Sequence, residues 1–163
     1  MPGDWIIRLP DAAATARLGA LIAEAAEAGD TILLSGEIGA GKSHLARALI
    51  AARRARAGEP PEDIPSPSFT LVQTYRAGPM EIWHVDLYRL GDPDEAAELG
   101  LDEAMGHVMA VVEWPEKLPP HLVTEAATKV ALAPSGEGRI ATIRQGGALA
   151  GRLAPLLAAM ADA

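Results

Sequence analysis

At 163 residues, with hydrophobic side chains making up 49%, the chain has the length of one ordinary domain and too much apolar content to be disordered over most of its length. It contains no cysteine, which excludes disulfides, cysteine-ligated zinc and thiol catalysis, and which fits a reducing cytoplasmic setting. A net charge of −8 weighs against a surface that grips nucleic acid through many phosphate contacts, and no run of about 18 apolar residues offers a membrane span.

The opening "MPGDWIIRLPD" lacks a positive segment ahead of an apolar core, so it does not read as a signal peptide. "DWIIRL" reads as a strand. Asp11 is placed to cap a helix whose Leu18, Leu21, Ile22 and Ala25 recur at helical spacing, with Gly29 as its expected end. "DTILLS" follows as an apolar strand, and a glycine-rich turn leads into a helix over residues 42–57. The loop "GEPPEDIPSPS", residues 58–68, carries four prolines and is expected to be partly mobile. Two strands, "FTLVQTY" and "EIWHVDLYRL", flank a turn at "RAGP", and "DPDEAAELGLDEAM" reads as short helices with Asp92 as cap. "HVMAVVEWP" is too apolar to face water and reads as a central parallel strand. "KVALAPSGEGRIATIRQ" reads as a hairpin turning at residues 135–138, and a C-terminal helix ends the chain. The interleaving of strands and helices predicts an α/β sandwich.

Within this order, Gly36, Glu37, Ile38, Gly39, Ala40, Gly41, Lys42 and Ser43 match G-x-x-x-x-G-K-[ST] between a strand and a helix. Glycines let a backbone wrap closely around a polyphosphate with N–H groups inward, and the helix start adds partial positive charge. Lys42 supplies a cation for β- and γ-phosphates, and the Ser43 hydroxyl can ligate Mg²⁺. The chain is therefore expected to bind a nucleotide. A magnesium site there calls for a carboxylate at the end of a neighbouring strand. Glu113, closing "VMAVVE", is the first candidate, and Asp86, which strand alternation puts on one face with His84 and Tyr88, is the second. A buried hydrogen-bonded pair of His84 and Asp86 is the plainer alternative for the latter. Trp114 is either a core plug or an aromatic set over the site. Arg139 reads as an exposed hairpin arginine, with an approach to the nucleotide as the other reading, and His107 and His121 read as ordinary strand-start and loop residues. The basic residues Lys42, Arg47, Arg53, Arg54 and Arg56 cluster on one helix. The last three complement a helix C-terminus, with a basic docking face for a partner or RNA as the other reading.

The guanine-nucleotide signatures are missing: no N-K-x-D exists because the chain has no asparagine, and no D-x-x-G follows the cradle, while the choice of adenine over guanine itself leans on the resemblance given below. The transporter-ATPase signature is also missing. A stand-alone small-molecule kinase usually brings an arginine-rich lid after the central strands, whereas the arginine cluster of this chain comes earlier. That kinase and a nucleotide-sensing adaptor without turnover are the two alternatives.

Taken together, "GEIGAGKSHLARAL", "SPSFTLVQTY", "HVDLYRLGDPDEAAELGLDE" and "VVEWPEKLP", in this order, resemble the bacterial TsaE family of tRNA threonylcarbamoyladenosine biosynthesis. The resemblance implies a P-loop-type three-layer α/β sandwich with a mixed, mainly parallel sheet and a late hairpin, as one ATPase domain over residues 1–163. It implies an ATPase, weak alone, using ATP and Mg²⁺ in the cytoplasm. Its partners would be the protein subunits of the threonylcarbamoyl transferase complex, which carry out the transfer themselves, with tRNA met indirectly and no membrane. Residues 36–42 would cradle ATP, and Ser43 and Glu113 would hold magnesium. Asp86, Glu113 and Trp114 would be needed for catalysis, and "SPSFT" would act as a switch-like loop. His44 stands where the family more often has threonine, keeping a backbone N–H for the α-phosphate but no hydroxyl. Ser68 replaces another usual threonine.

Overall fold

A computed structural model describes residues 4–144 and 146–161. Strand β1 (Trp5–Leu9) leads to helix α1 (Ala12–Ala25), where the Asp11 carboxylate accepts a 2.8 Å hydrogen bond from the Ala14 N–H and so satisfies an end donor. The helix stops short of Gly29. The Glu27 N–H, which would continue the helix, instead donates to Asp30 Oδ2 at 2.7 Å, and Ala26 turns extended into the core. Strand β2 (Thr31–Ser35) and helix α2 (Lys42–Arg56) bracket the glycine-rich loop as expected. Helices α1 and α2 cross closely at Gly19, where a Cβ would lie 3.0 Å from both the Ala48 Cβ and the Leu49 backbone nitrogen.

Strand β3 (Val72–Ala77) and strand β4 (Met80–Asp86) form a hairpin through Gly78 and Pro79. Both are shorter than the sequence predicts. Leu71 adopts φ +67°, donates its N–H to the Pro67 carbonyl and accepts from the Asp86 N–H, which breaks the extended run that Phe69 was expected to begin. At the other end Leu87 donates to the Glu113 carbonyl and Leu90 to that of Leu87, so the chain turns away from the sheet after Asp86. Helices α3 (Glu95–Glu98) and α4 (Leu101–Ala104) are single turns. Asp92 accepts from the Asp94 N–H but is not itself the cap of α3, which is Asp94. Strand β5 (Met109–Glu113) is buried at all five positions. Two 3₁₀ segments, Pro115–Lys117 and Pro120–Leu122, lead to the hairpin β6 (Thr128–Ser135) and β7 (Gly138–Arg144), and α5 (Gly147–Ala161) follows.

The seven strands form one sheet in the order β1-β7-β6-β2-β5-β4-β3. Strands β4, β5, β2 and β6 run parallel, with β3 and β7 reversed beside them, so the sheet is mixed and mainly parallel as expected. Alternation sorts its side chains. Ile32, Leu34, Ile82, Met109 and Val111 join the core under α1, α2 and α5. Leu33, Val85, Ala110 and Val112 join a smaller core under α3, α4 and the 3₁₀ segments. The result is three layers, the second helical layer being thin. Each fully buried Leu or Ile contributes roughly 1.5–3 kcal/mol, so truncating Leu49, which is 0% exposed between sheet and helix, would cost about 2–5 kcal/mol. Strand β2 has parallel neighbours on both sides, and the chain leaves it toward β4 first and reaches β6 later. Its carboxyl end is therefore a topological switch point, where open α/β sheets form ligand crevices.

Candidate functional site

The glycine-rich loop sits at that switch point. Gly36 has φ +143°, and a Cβ there would lie 2.5 Å from the Leu132 carbonyl oxygen, so a side chain is excluded by both conformation and space. Four loop carbonyls are already engaged. Lys42 Nζ donates to Gly36 O (2.5 Å) and Glu37 O (2.9 Å). Arg139 donates through Nε to Ala40 O (2.9 Å) and through Nη2 to Gly39 O (3.0 Å). What the loop has left to offer is its first-turn N–H groups, which no α-helix can satisfy internally, so the cradle presents donors to an anion. Arg139 thus braces the loop from the β6–β7 hairpin rather than standing free in solvent. Nothing local in "GEGRIA" marks it, because the contact depends on β6 pairing with β2.

Lys42 is 5% exposed, and its ammonium lies 4.1 Å from the centroid of the Trp114 ring. Burial pushes its pKa below the usual 10.5, opposed by the nearby carboxylates of Glu113, Glu116 and Asp86. Trp114 holds φ 60° and ψ 52°, a left-handed conformation uncommon for a bulky residue. That turn aims the indole back over the cradle, with the Tyr88 ring 4.9 Å away. Of the two sequence readings for Trp114, the structure has parts of both: the ring packs against the smaller core and also lines the cleft beside Lys42.

Strands β4 and β5 place Asp86 opposite Glu113 in register, on the α2 side of the sheet. Ser43, in the first turn of α2, donates to Glu113 Oε1 at 2.8 Å, and His84 Nε2 lies 2.7 Å from Glu113 Oε2. The histidine pairs with Glu113, not with Asp86 as the plainer sequence alternative had it. Alternation put His84 on the correct face, but which carboxylate it meets depends on the β4–β5 register. Asp86, 4% exposed, accepts from Ser66 and Ser68 at 3.3 Å each through Oδ2, and from the Tyr88 N–H at 3.0 Å through Oδ1. The proline loop is also tied farther back, where Arg54 donates to Pro60 O at 2.9 Å and pairs with Glu62 at 3.4 Å. Of the clustered arginines, Arg54 is therefore a structural tie.

Lys42, Ser43, Asp86, Glu113 and Trp114 border one open cleft of about 350 Å³. Glu37 contributes its carbonyl to Lys42, and Ile38 stands at the exposed loop tip. His44 Nε2 donates to the Ala12 carbonyl at 3.0 Å, so its ring pins α2 to the start of α1. A second cavity of about 290 Å³ adjoins the first across Gly41 and His44, between Thr15 and Arg139. Outside the cleft, His121 pairs with Asp102 at 2.6 Å on the surface.

These donors suit a hydrated magnesium ion. Among the described residues no group of three or more His, Cys, Asp or Glu side chains is arranged to hold a metal. The cleft provides instead one hydroxyl and one carboxylate oxygen side by side at Ser43 and Glu113, next to a phosphate cradle. Magnesium takes oxygen ligands, keeps several waters, and is commonly completed by phosphates. Among the described residues no helix is long and apolar enough to cross a membrane.

Comparison with known proteins gives concordant matches. Residues 9–141 match the family model described as threonylcarbamoyl adenosine biosynthesis protein TsaE. The tRNA threonylcarbamoyladenosine biosynthesis protein TsaE of Rickettsia conorii is 40% identical over 118 residues, covering 72% of this chain and 65% of that protein. The protein of the same description from a Nostoc species is 38% identical over 119 residues, covering 69% of each. The chain thus spans just under two thirds of the length of the Rickettsia relative. Among solved structures, the crystal structure of Bacillus subtilis YdiB superposes with a TM-score of 0.71 at 24% identity, covering 98% of this chain and 97% of that one, and carries the same fold.

Proposed function

This chain belongs to the TsaE family of threonylcarbamoyl adenosine biosynthesis proteins, and from that premise we propose that it is a Mg²⁺-dependent ATPase serving tRNA threonylcarbamoyladenosine synthesis. The observation that carries the reading is the 2.8 Å bond from Ser43 Oγ to Glu113 Oε1, set beside the buried ammonium of Lys42. It joins the hydroxyl and the carboxylate that a phosphate-bound magnesium ion requires.

In this reading residues 36–43 bind the phosphates through backbone donors, and Arg139 holds the loop in shape from behind. Lys42 turns from the Gly36 and Glu37 carbonyls to the phosphate oxygens, with the Trp114 ring limiting where its ammonium can go. Ser43 and Glu113 would hold the metal, which would supply positive charge to offset that of the phosphates. The backbone N–H of His44 adds a donor at the helix start, while its ring keeps α1 and α2 together. The adjoining cavity between Thr15 and Arg139 takes the base end of the nucleotide. Asp86 links the cleft to the proline loop through Ser66 and Ser68, so that a change of charge in the cleft is felt by that loop.

The cleft contains no cysteine, and its two serines are engaged by carboxylates, Ser43 by Glu113 and Ser68 by Asp86, which supports a role in energy supply rather than in acyl transfer. The transfer belongs to the protein subunits of the threonylcarbamoyl transferase complex in the cytoplasm, and the net charge of −8 favours tRNA contact through them. The test is ATP hydrolysis by the chain alone and with those subunits from the same organism. Slow turnover that rises several-fold on their addition supports the proposal. An unchanged rate without physical association, or phosphate transfer to a metabolite with no partner present, contradicts it.

A further inference from the structure

The His84–Glu113 contact is not explained by the reading above. His84 is 0% exposed, in the middle of β4, and its Nε2 is 2.7 Å from Glu113 Oε2. Its Nδ1 is buried with no hydrogen-bond partner. A proton on Nδ1 would leave a donor unsatisfied and set the Nε2 lone pair against a carboxylate oxygen, which is doubly unfavourable. The tautomer is therefore the one with its proton on Nε2, donating to Oε2. A bare Nδ1 lone pair is the smaller loss.

A free carboxylate rotates about its last torsion and can offer a cation either oxygen or both. Here the two oxygens are assigned different tasks, Oε2 to His84 and Oε1 to Ser43. Both partners lie on regular elements, β4 and α2, so the carboxylate plane is held from two sides. Two-oxygen coordination by a carboxylate suits calcium, whose shell is large and flexible, whereas magnesium requires near-octahedral single-oxygen ligands. Hydrogen bonds to a metal-binding group commonly set metal affinity by 10–100-fold.

We propose that His84 is a positioning residue that makes Glu113 a one-oxygen ligand, tuning the cleft for magnesium over calcium. This rests on the cleft being a Mg²⁺–nucleotide site. His84 touches neither phosphate nor metal. It acts through Glu113 alone.

The test is equilibrium binding of ATP to the purified full chain, with MgCl₂ or CaCl₂ varied and with EDTA as the metal-free reference. His84→Leu removes the donor, His84→Asn keeps polarity but is too short to reach Oε2, and His84→Gln restores an N–H near the position of Nε2. The Leu and Asn variants are expected to need about tenfold more Mg²⁺, with a smaller change for Ca²⁺, and to bind ATP in EDTA as the wild type does. The Gln variant is expected to stay near wild type. The proposal is overturned if Leu and Asn shift neither metal requirement, if they weaken metal-free binding by the same factor, or if only wild type and Gln fold. Absence of any metal effect on wild-type binding would instead overturn the magnesium site itself.

Discussion

Ser43 and Glu113 stand 70 positions apart in sequence, yet the hydroxyl of one donates to the carboxylate of the other at 2.8 Å. The bond exists because β2 and β5 are parallel neighbours whose carboxyl ends finish side by side, Leu34 opposite Glu113. A helix starting just after β2 then brings its first turn over the end of β5.

Glu113→Gln keeps a carbonyl and an amide of the same shape but removes the charge that a divalent cation needs. Turnover is expected to fall by at least ~100-fold while ATP still binds within a few-fold of wild type. Phosphate release and calorimetric ATP titration on the same preparation check both parts. Unchanged turnover would remove Glu113 from the chemistry.

Lys42 predicts a pH effect on the free protein. Burial holds its folded-state pKa below 10.5, so between the two values the unfolded chain binds more protons than the folded one. Stability from this group therefore rises with pH across that window and levels off above 10.5. Lys42→Met removes the group. Urea midpoints measured as pH increases should show wild type gaining on the variant, and parallel curves would contradict the burial account.

Arg139 makes a fork-shaped pair of bonds to the Gly39 and Ala40 carbonyls that a lysine cannot copy. Arg139→Ala and Arg139→Lys are both expected to lower ATP affinity about tenfold, with a stability loss of only about 1 kcal/mol because the side chain is partly exposed. Full retention of affinity by the lysine variant would show that charge alone matters there.

Asp86→Ala deletes the acceptor of both Ser66 and Ser68. The loop over residues 58–68 contains Glu59 and Glu62, so a glutamate-specific protease reports on its opening. Cleavage is expected to speed up about fivefold, as two long bonds of less than about 1 kcal/mol each are lost. A Ser66→Ala, Ser68→Ala double variant should match it. Equal rates in all three proteins would mean that Asp86 does not tether the loop.

The glycine-rich loop and the acid that meets Ser43 were legible because their signals are local: a glycine pattern between strand and helix, and an acid closing an apolar run. The same holds for Asp11 as a cap and for the turn ahead of Gly138. What stayed hidden depends on register and topology. His84 could be put on the right face of β4 but not assigned to Glu113, and for Arg139 an approach to the nucleotide was only the second reading, its bonds to loop carbonyls nearly 100 residues earlier being unmarked in the sequence. Strand ends failed where single residues broke the pattern: Leu71 in a left-handed conformation, and Asp86 drawing the Tyr88 N–H into a turn. Those breaks border the cleft, where local regularity gives way to the geometry of the site.

The most direct measurement is equilibrium titration of ATP into wild type and Lys42→Ala, each with MgCl₂ and with EDTA. Wild type is expected to bind saturably, one to one and more tightly with magnesium, and the variant to lose at least ~100-fold in affinity. No saturable binding by wild type, or equal binding by Lys42→Ala, would contradict the proposed ATP site.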